Sequence, residues 1–184
     1  MSIVRIAILA VALALGGTTA ASGQGTGAAG AKGEAATAGE TTVNQFLSYD
    51  TTAKRATLEV SAALGNHNGG MNFNGGFAGS HTVIIPVGWT VRMHFVNKDA
   101  IPHSAIVVPG ALPLPVIPED PAIPGAYTKD LTSGIFTDGT DTSTFRVTKA
   151  GEYFLSCGVP GHGPSGMYIR FDVSATAKVP SYKM

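Results

Sequence analysis

"HTVIIPVGWTVRMHFVN", residues 81–97, alternates apolar and polar side chains on either side of a short turn. A period of two is the mark of a half-buried strand and cannot form one face of a helix. The stretch therefore reads as a strand ending at Ile85, a turn at "PVGW", and a second strand from Thr90 to Asn97. In the second strand Val91, Met93 and Phe95 share one face, and Arg92 and His94 share the other. The design recurs in "TFRVTKAGEYFLSC" (144–157), where "KAGE" is the turn, and in "MYIRFDV" (167–173). There Met167, Ile169, Phe171 and Val173 point inward, and Tyr168, Arg170 and Asp172 outward. "ATLEVSA" (56–62) and "HSAIVV" (103–108) add further strands, and the one short helical candidate is "TVNQFLSYD" (42–50). Several short strands with Gly and Pro turns predict an all-β sandwich or barrel.

A chain of 184 residues holds one domain with a real core and is short for two. Twelve Lys and Arg balance twelve Asp and Glu, so no basic field exists to attract nucleic acid or anionic lipid. The amino terminus carries Arg5, an apolar run from Ile6 to Leu15, and the small residues Thr18, Ala20 and Ala21. This is the pattern of an export signal over residues 1–21, either cleaved or kept as an anchor, and it implies an extracytoplasmic, periplasmic location. The apolar run is well below the roughly 20 residues that span a bilayer. Residues 22–41 are nearly all Gly, Ala, Thr and Ser and read as a flexible tether. The folded domain is expected over 42–174, with 175–184, "ATAKVPSYKM", as a carboxy-terminal tail.

Within that domain, "FLSCGVPGHGPSGMYIRF" (154–171) contains the chain's one cysteine, Cys157, then His162 and Met167 at intervals of five. An exported chain with one cysteine forms no internal disulfide, so Cys157 is buried, reactive or bound to something. A copper ion that alternates between two oxidation states is best held by a thiolate, two imidazoles and a weak thioether. Cys157, His162 and Met167 supply three of these at a strand-loop-strand junction whose glycines and prolines allow a tight, stiff path. The fourth candidate is His103 in "FVNKDAIPHSAIVV" (95–108), after a proline and at the mouth of a strand. It reaches the same pole if its strand lies beside the one ending at Cys157. His67, in "GNHNGG", and His81 and His94, at strand positions opposite the apolar set, read as surface histidines. Taken singly, Cys157 and Met167 would be ordinary core residues. Their joint spacing with two histidines favours copper. Between Pro109 and Thr142 runs a long segment with six of the eleven prolines, of a kind more often functional than idle.

"CGVPGHGPSGM" together with "IPHS" resembles the copper loop and upstream histidine of the blue copper proteins, the cupredoxins. The C-x4-H-x4-M spacing and the stretch from Met71 to Val108 resemble the sulfocyanins in particular, and rusticyanin more distantly. The resemblance spans about Val43 to Val173. It implies a cupredoxin-like Greek-key β-sandwich carrying one type 1 copper, with His103, Cys157 and His162 as equatorial ligands and Met167 axial. It also implies one-electron transfer by a monomer in an extracytoplasmic respiratory chain, between a respiratory donor and a terminal oxidase or similar acceptor. Many cupredoxins have Asn after the first histidine, where it ties two loops together; this chain has Ser104, which can still donate a hydrogen bond near the thiolate. His162 is the expected electron exit, with "GVPG" and "GPSG" as an apolar docking patch.

Other classes fit less well. A copper chaperone or storage protein would carry a cluster of Met or Cys, and no Met-rich tract is present. A multicopper enzyme would need more cysteines or H-x-H pairs. A Cys nucleophile with a His base would leave Met167 without a role, and zinc takes a thioether poorly.

Overall fold

Residues 39–184 are described by the computed structural model of the protein, and their strands fall into two five-stranded sheets. The first has the order β1 (Glu40–Asn44), β2 (Leu47–Asp50), β3 (Arg55–Ala62), β5 (Thr90–Asn97), β7 (Thr140–Arg146). The second has the order β10 (Ser181–Lys183), β4 (Thr82–Pro86), β9 (Tyr168–Ser174), β8 (Gly151–Ser156), β6 (Ile106–Pro109). Each sheet is mixed: β3 runs parallel to β5 and β4 parallel to β9, while the remaining pairs are antiparallel. The expected all-β sandwich is therefore present. Residues 1–21, read as an export signal, and nearly all of the stretch read as a tether lie outside the described residues; Glu40 and Thr41, assigned to the tether, already belong to β1.

Alternation sets the layers. The β3–β5 register places Leu58 beside Met93 and Val60 beside Phe95, all fully buried, so two adjacent strands send one apolar face to the same core. Ile85, Leu155, Ile169 and Phe171 meet them from the second sheet. Each such side chain contributes about 1.5–3 kcal/mol by leaving water. On the outer face of the first sheet Glu59 stands opposite His94 and its Oε2 lies 2.7 Å from His94 Nδ1, a cross-strand hydrogen bond that leaves His94 at the surface, as expected.

The two turns fall where expected, and three other expectations are corrected. The turn "PVGW" does not join hairpin neighbours: β4 and β5 belong to different sheets, and the turn spans the sandwich. Its amides go to the strands it crosses, Val87 N–H to Ser174 O (2.9 Å) and Gly88 N–H to Val147 O (2.7 Å), with Gly88 at φ +88. "KAGE" likewise connects β7 in one sheet to β8 in the other. The short helix candidate at 42–50 is the β1–β2 hairpin, whose bend is held by Phe46 N–H donating to Asn44 Oδ1 at 2.9 Å. The tail at 175–184 ends in β10, which pairs with β4 and buries Tyr182 against Phe46, with ring centroids 5.6 Å apart. Burial pushes the Tyr182 phenol up to about 12, and its hydroxyl meets Asn74 Nδ2 and His81 Nδ1, each at 3.3 Å.

Tyr168 is the third correction. Assigned to the outside, it is buried, because the proline-rich segment folds over the outer face of the second sheet. Leu114 and Leu131 from that segment pack with Ile106, Val108, Phe154 and Tyr168 into a second small core. The sheet is thus covered on both faces at the end that carries the loop from Cys157 to Met167.

Away from that cover, Glu152 and Asp172 stand directly opposite each other on β8 and β9. Burial first, then the Glu152 charge, raises the Asp172 carboxyl above its ordinary range, and Asp172 Oδ1 is buried without a partner. The folded state therefore holds this proton more tightly than the unfolded chain. The resulting stabilisation is complete below the ordinary carboxylate range and is lost as pH rises through the folded value. Asp172→Asn is expected to raise the urea midpoint at pH 7 and to leave it unchanged near pH 3. Equal midpoints at pH 7 would contradict this account.

Candidate metal centre

Three loops converge beyond the ends of β6, β8 and β9. Strand β6 pairs with β8 so that Ile106 faces Ser156, which sets His103, three residues before Ile106, beside Cys157, one residue after Ser156. The condition placed on His103 is met. The loop from Cys157 to Met167 closes on itself: Cys157 N–H donates to Met167 O (3.0 Å), Met167 N–H to His162 O (3.0 Å) and His162 N–H to Val159 O (3.1 Å). Gly161 at φ +83 and Gly166 at φ +97 take the left-handed turns that this path requires.

Neighbouring segments then fix the loop from outside. Gly161 N–H donates to Val116 O (2.8 Å), Ala78 N–H to Gly166 O (2.8 Å) and Asn68 Nδ2 to Ser165 O (3.1 Å). Leu131 comes so close to Gly158 that a Cβ there would sit 2.3 Å from its Cδ1. His103 is clamped by paired backbone bonds with Ile135 at 3.1 and 2.7 Å. The proline-rich segment is therefore a structural wall of the site on both sides.

These constraints bring three donor atoms together. His103 Nδ1 lies 3.2 Å from His162 Nδ1, Cys157 Sγ lies 3.5 Å from His162 Nδ1, and Cys157 Sγ lies 4.0 Å from His103 Nδ1. A first-row metal bonded to nitrogen at about 2.0 Å and thiolate at about 2.3 Å leaves gaps of this order between its ligands. Of the His, Cys, Asp and Glu side chains in the described residues, these are the ones grouped closely enough to hold an ion. Met167 flanks them, fully buried and backbone-bonded to both Cys157 and His162. His67, His81 and His94 do not join the group: His67 sits in a single 3-10 turn (His67–Gly70), and His81 is engaged by Tyr182.

The donor set is soft and anionic at one corner only. Burial pushes the Cys157 thiol up, opposed by amide donors from Ser104 and Val159. Burial also pushes both imidazoles down, His103 further through the neighbouring His162, although Asp99 acts the other way. Before metal binds, the three groups are thus held neutral, and loading a cation expels the thiol proton. His103 is 1% exposed, whereas His162 is half-buried and reaches the surface.

Ser104 donates toward the thiolate, as expected, and does so through its backbone. Its backbone N–H points at Cys157 Sγ (3.5 Å), while its hydroxyl donates to Leu131 O (2.6 Å) and accepts from Gly158 N–H (3.0 Å). The hydroxyl is 4.0 Å from the sulfur and serves to tie the cysteine loop to the proline-rich wall. Two other polar residues escaped the sequence reading. Asn97, fully buried, donates to Ile101 O (2.7 Å) and Ile135 O (2.8 Å), and Thr128 Oγ1 accepts from Ala105 N–H (3.0 Å). Asn97 ends a strand and Thr128 lies in a loop, so no pattern in the sequence distinguishes either from a surface residue.

Residues 42–184 match the sulfocyanin (SoxE) domain family. The chain is 30% identical to a sulfocyanin of Sulfolobus acidocaldarius over 139 residues, 72% of this chain and 70% of that protein. A stretch of 51 residues is 43% identical to a blue copper protein of Pisum sativum, covering 27% of each. Among solved structures, rusticyanin from Thiobacillus ferrooxidans is 24% identical with a TM-score of 0.45, covering 66% of this chain and 82% of that one. Reduced auracyanin from Roseiflexus castenholzii is 22% identical with a TM-score of 0.48, covering 64% and 96%.

Proposed function

Since the chain belongs to the sulfocyanin family of blue copper proteins, we propose that it carries single electrons at a mononuclear type 1 site in an extracytoplasmic respiratory chain. The observation that carries this reading is the triangle of His103 Nδ1, His162 Nδ1 and Cys157 Sγ at 3.2–4.0 Å, built from residues on two loops that are far apart in the chain. A copper ion bound there supplies a couple that gains and loses one electron. Cys157, His103 and His162 would hold it, with the Met167 thioether as a further, weak donor.

The surrounding residues do the rest. One thiolate and two neutral imidazoles leave the oxidised site with one net positive charge and the reduced site with none. Apolar walls penalise the charged form, so Met167, Val159, Leu131 and Ile135 favour reduction and raise the potential. The Ser104 amide aimed at the sulfur draws electron density from the thiolate and works in the same direction. Hydrogen bonds within the loop and the wall behind it keep the donors in place in both oxidation states, which limits reorganisation.

Electrons leave through His162, the half-buried ligand. Around it Pro160 and Pro164 are exposed, and from the proline-rich segment Val116 and Ile117 are 62% and 54% exposed. The docking patch therefore extends beyond "GVPG" and "GPSG", and Val159 is partly buried against the core rather than on the patch. A patch with few charges on a chain of zero formal net charge suits brief encounters with a donor and an acceptor. Val116→Asp is expected to slow electron self-exchange between oxidised and reduced copies several-fold, read from NMR line broadening, with the visible spectrum unchanged. An unaltered rate would remove Val116 from the docking surface.

The test of the reading itself is direct. With one equivalent of Cu(II), the protein should show an intense thiolate-to-copper band and narrow parallel hyperfine splitting, both lost reversibly with ascorbate. A pale adduct would move copper storage to the front.

A further inference from the structure

His103 Nε2 is buried and has no hydrogen-bond partner. Such orphaned donors are rare and call for an explanation. The ring cannot turn to relieve it, because Nδ1 is aimed at Cys157 Sγ and His162 Nδ1. Facing Nε2 is the Oδ2 of Asp99, four residues earlier, at 3.7 Å. That gap is longer than a hydrogen bond but leaves no room for an intervening group.

Asp99 is itself built into place. Its Oδ1 accepts Ala100 N–H (2.6 Å), its own N–H donates to Asn97 Oδ1 (2.9 Å), and its carbonyl accepts Thr137 Oγ1 (2.7 Å). Gly70, at φ +89, makes space for it: a Cβ there would stand 2.9 Å from Asp99 Oδ2. Oδ2 is left over from these contacts. On its other side the carboxylate borders a cavity of about 340 Å³ lined by Gly65, Asn66, Gly69, Gly70 and Lys98.

We propose that Asp99 is a positioning residue of the copper centre, its Oδ2 accepting the Nε2–H of His103 and placing a negative charge behind that ligand. The inference rests on the copper reading above. A neutral imidazole that gives Nδ1 to a metal carries its proton on Nε2, so an acceptor there selects the tautomer that ligates. Carboxylate partners of this kind raise ligand basicity, and their loss typically weakens metal binding about 10–100-fold. The added charge favours the more positive oxidised site, opposing the apolar walls. Asp99 thus holds the potential below the value that burial alone would set.

The test uses the full chain and copper itself. Cu(II) and Cu(I) affinities are measured by chelator competition for the parent protein, Asp99→Asn, Asp99→Ala and Asp99→Glu. Asp99→Asn keeps an acceptor for Ala100 N–H and so carries the test if Asp99→Ala loses the fold. The expected result is a loss of Cu(II) affinity of about 10–100-fold with a smaller loss for Cu(I), and partial recovery in Asp99→Glu. Equal losses for both ions, or none, overturn the proposal while the parent protein still shows its blue band. A parent protein without that band overturns the copper reading and this inference together.

Discussion

Cys157→Ala is expected to abolish the thiolate-to-copper absorption and to lower copper affinity by ~1000-fold or more, about 4 kcal/mol. Cys157 is the one anionic donor in the triangle; without it two neutral imidazoles face a doubly charged ion in a low-dielectric pocket. The fold should survive, because the thiol is small and its backbone N–H, bonded to Met167 O, is retained. Isothermal titration with Cu(II) and the visible spectrum measure both parts. An intact blue band in the variant would mean that the sulfur is not a ligand. An unfolded variant by circular dichroism would instead mean that the cysteine is chiefly a core residue.

Phe171→Ala is expected to cost about 3–5 kcal/mol of stability. Phe171 is fully buried at the centre of β9, paired with Tyr153 on β8 and Val83 on β4, and its ring lies 6.1 Å from that of Phe145 in the opposite sheet. It is thus one of the side chains that join the two layers. Domains of this size have about 5–15 kcal/mol in total, so the loss should appear as a large drop in urea midpoint. Saturating copper should restore part of it, because β9 leads directly from Met167 and a ligand that binds only the folded state stabilises it. A midpoint within experimental error of the parent protein would show that the sheets are not joined there.

Both results depend on features with different visibility in the sequence. Val91, Met93 and Phe95, and Met167, Ile169, Phe171 and Val173, declare strands and their inward faces because side chains alternate strictly along an extended backbone. The spacing of Cys157, His162 and Met167 is equally local: eleven residues fix a loop whose ends must be adjacent strands. Ligand chemistry follows from residue type and spacing taken together, so copper was legible before any coordinate.

What was not legible is non-local. A turn such as "PVGW" looks the same whether it folds a hairpin or crosses a sandwich, since what distinguishes the two is which distant carbonyls, here Ser174 and Val147, take its amides. The three residues of β10 are too few to show a period, and only their backbone pairing with the distant β4 makes them a strand. Tyr168 sits at a polar-side position and becomes core only because Leu114 and Leu131 arrive from the proline-rich segment. The same holds at the centre, where Ser104 donates to the sulfur through its amide and ties loops with its hydroxyl. The sequence by itself determined an all-β sandwich or barrel and the candidate copper donors, because periodicity and side-chain chemistry are properties of neighbours in the chain. Tertiary structure decided which strands share a sheet, what the long loop covers and that Asp99 faces His103, because hydrogen-bond partners and burial are set by residues far apart in the chain.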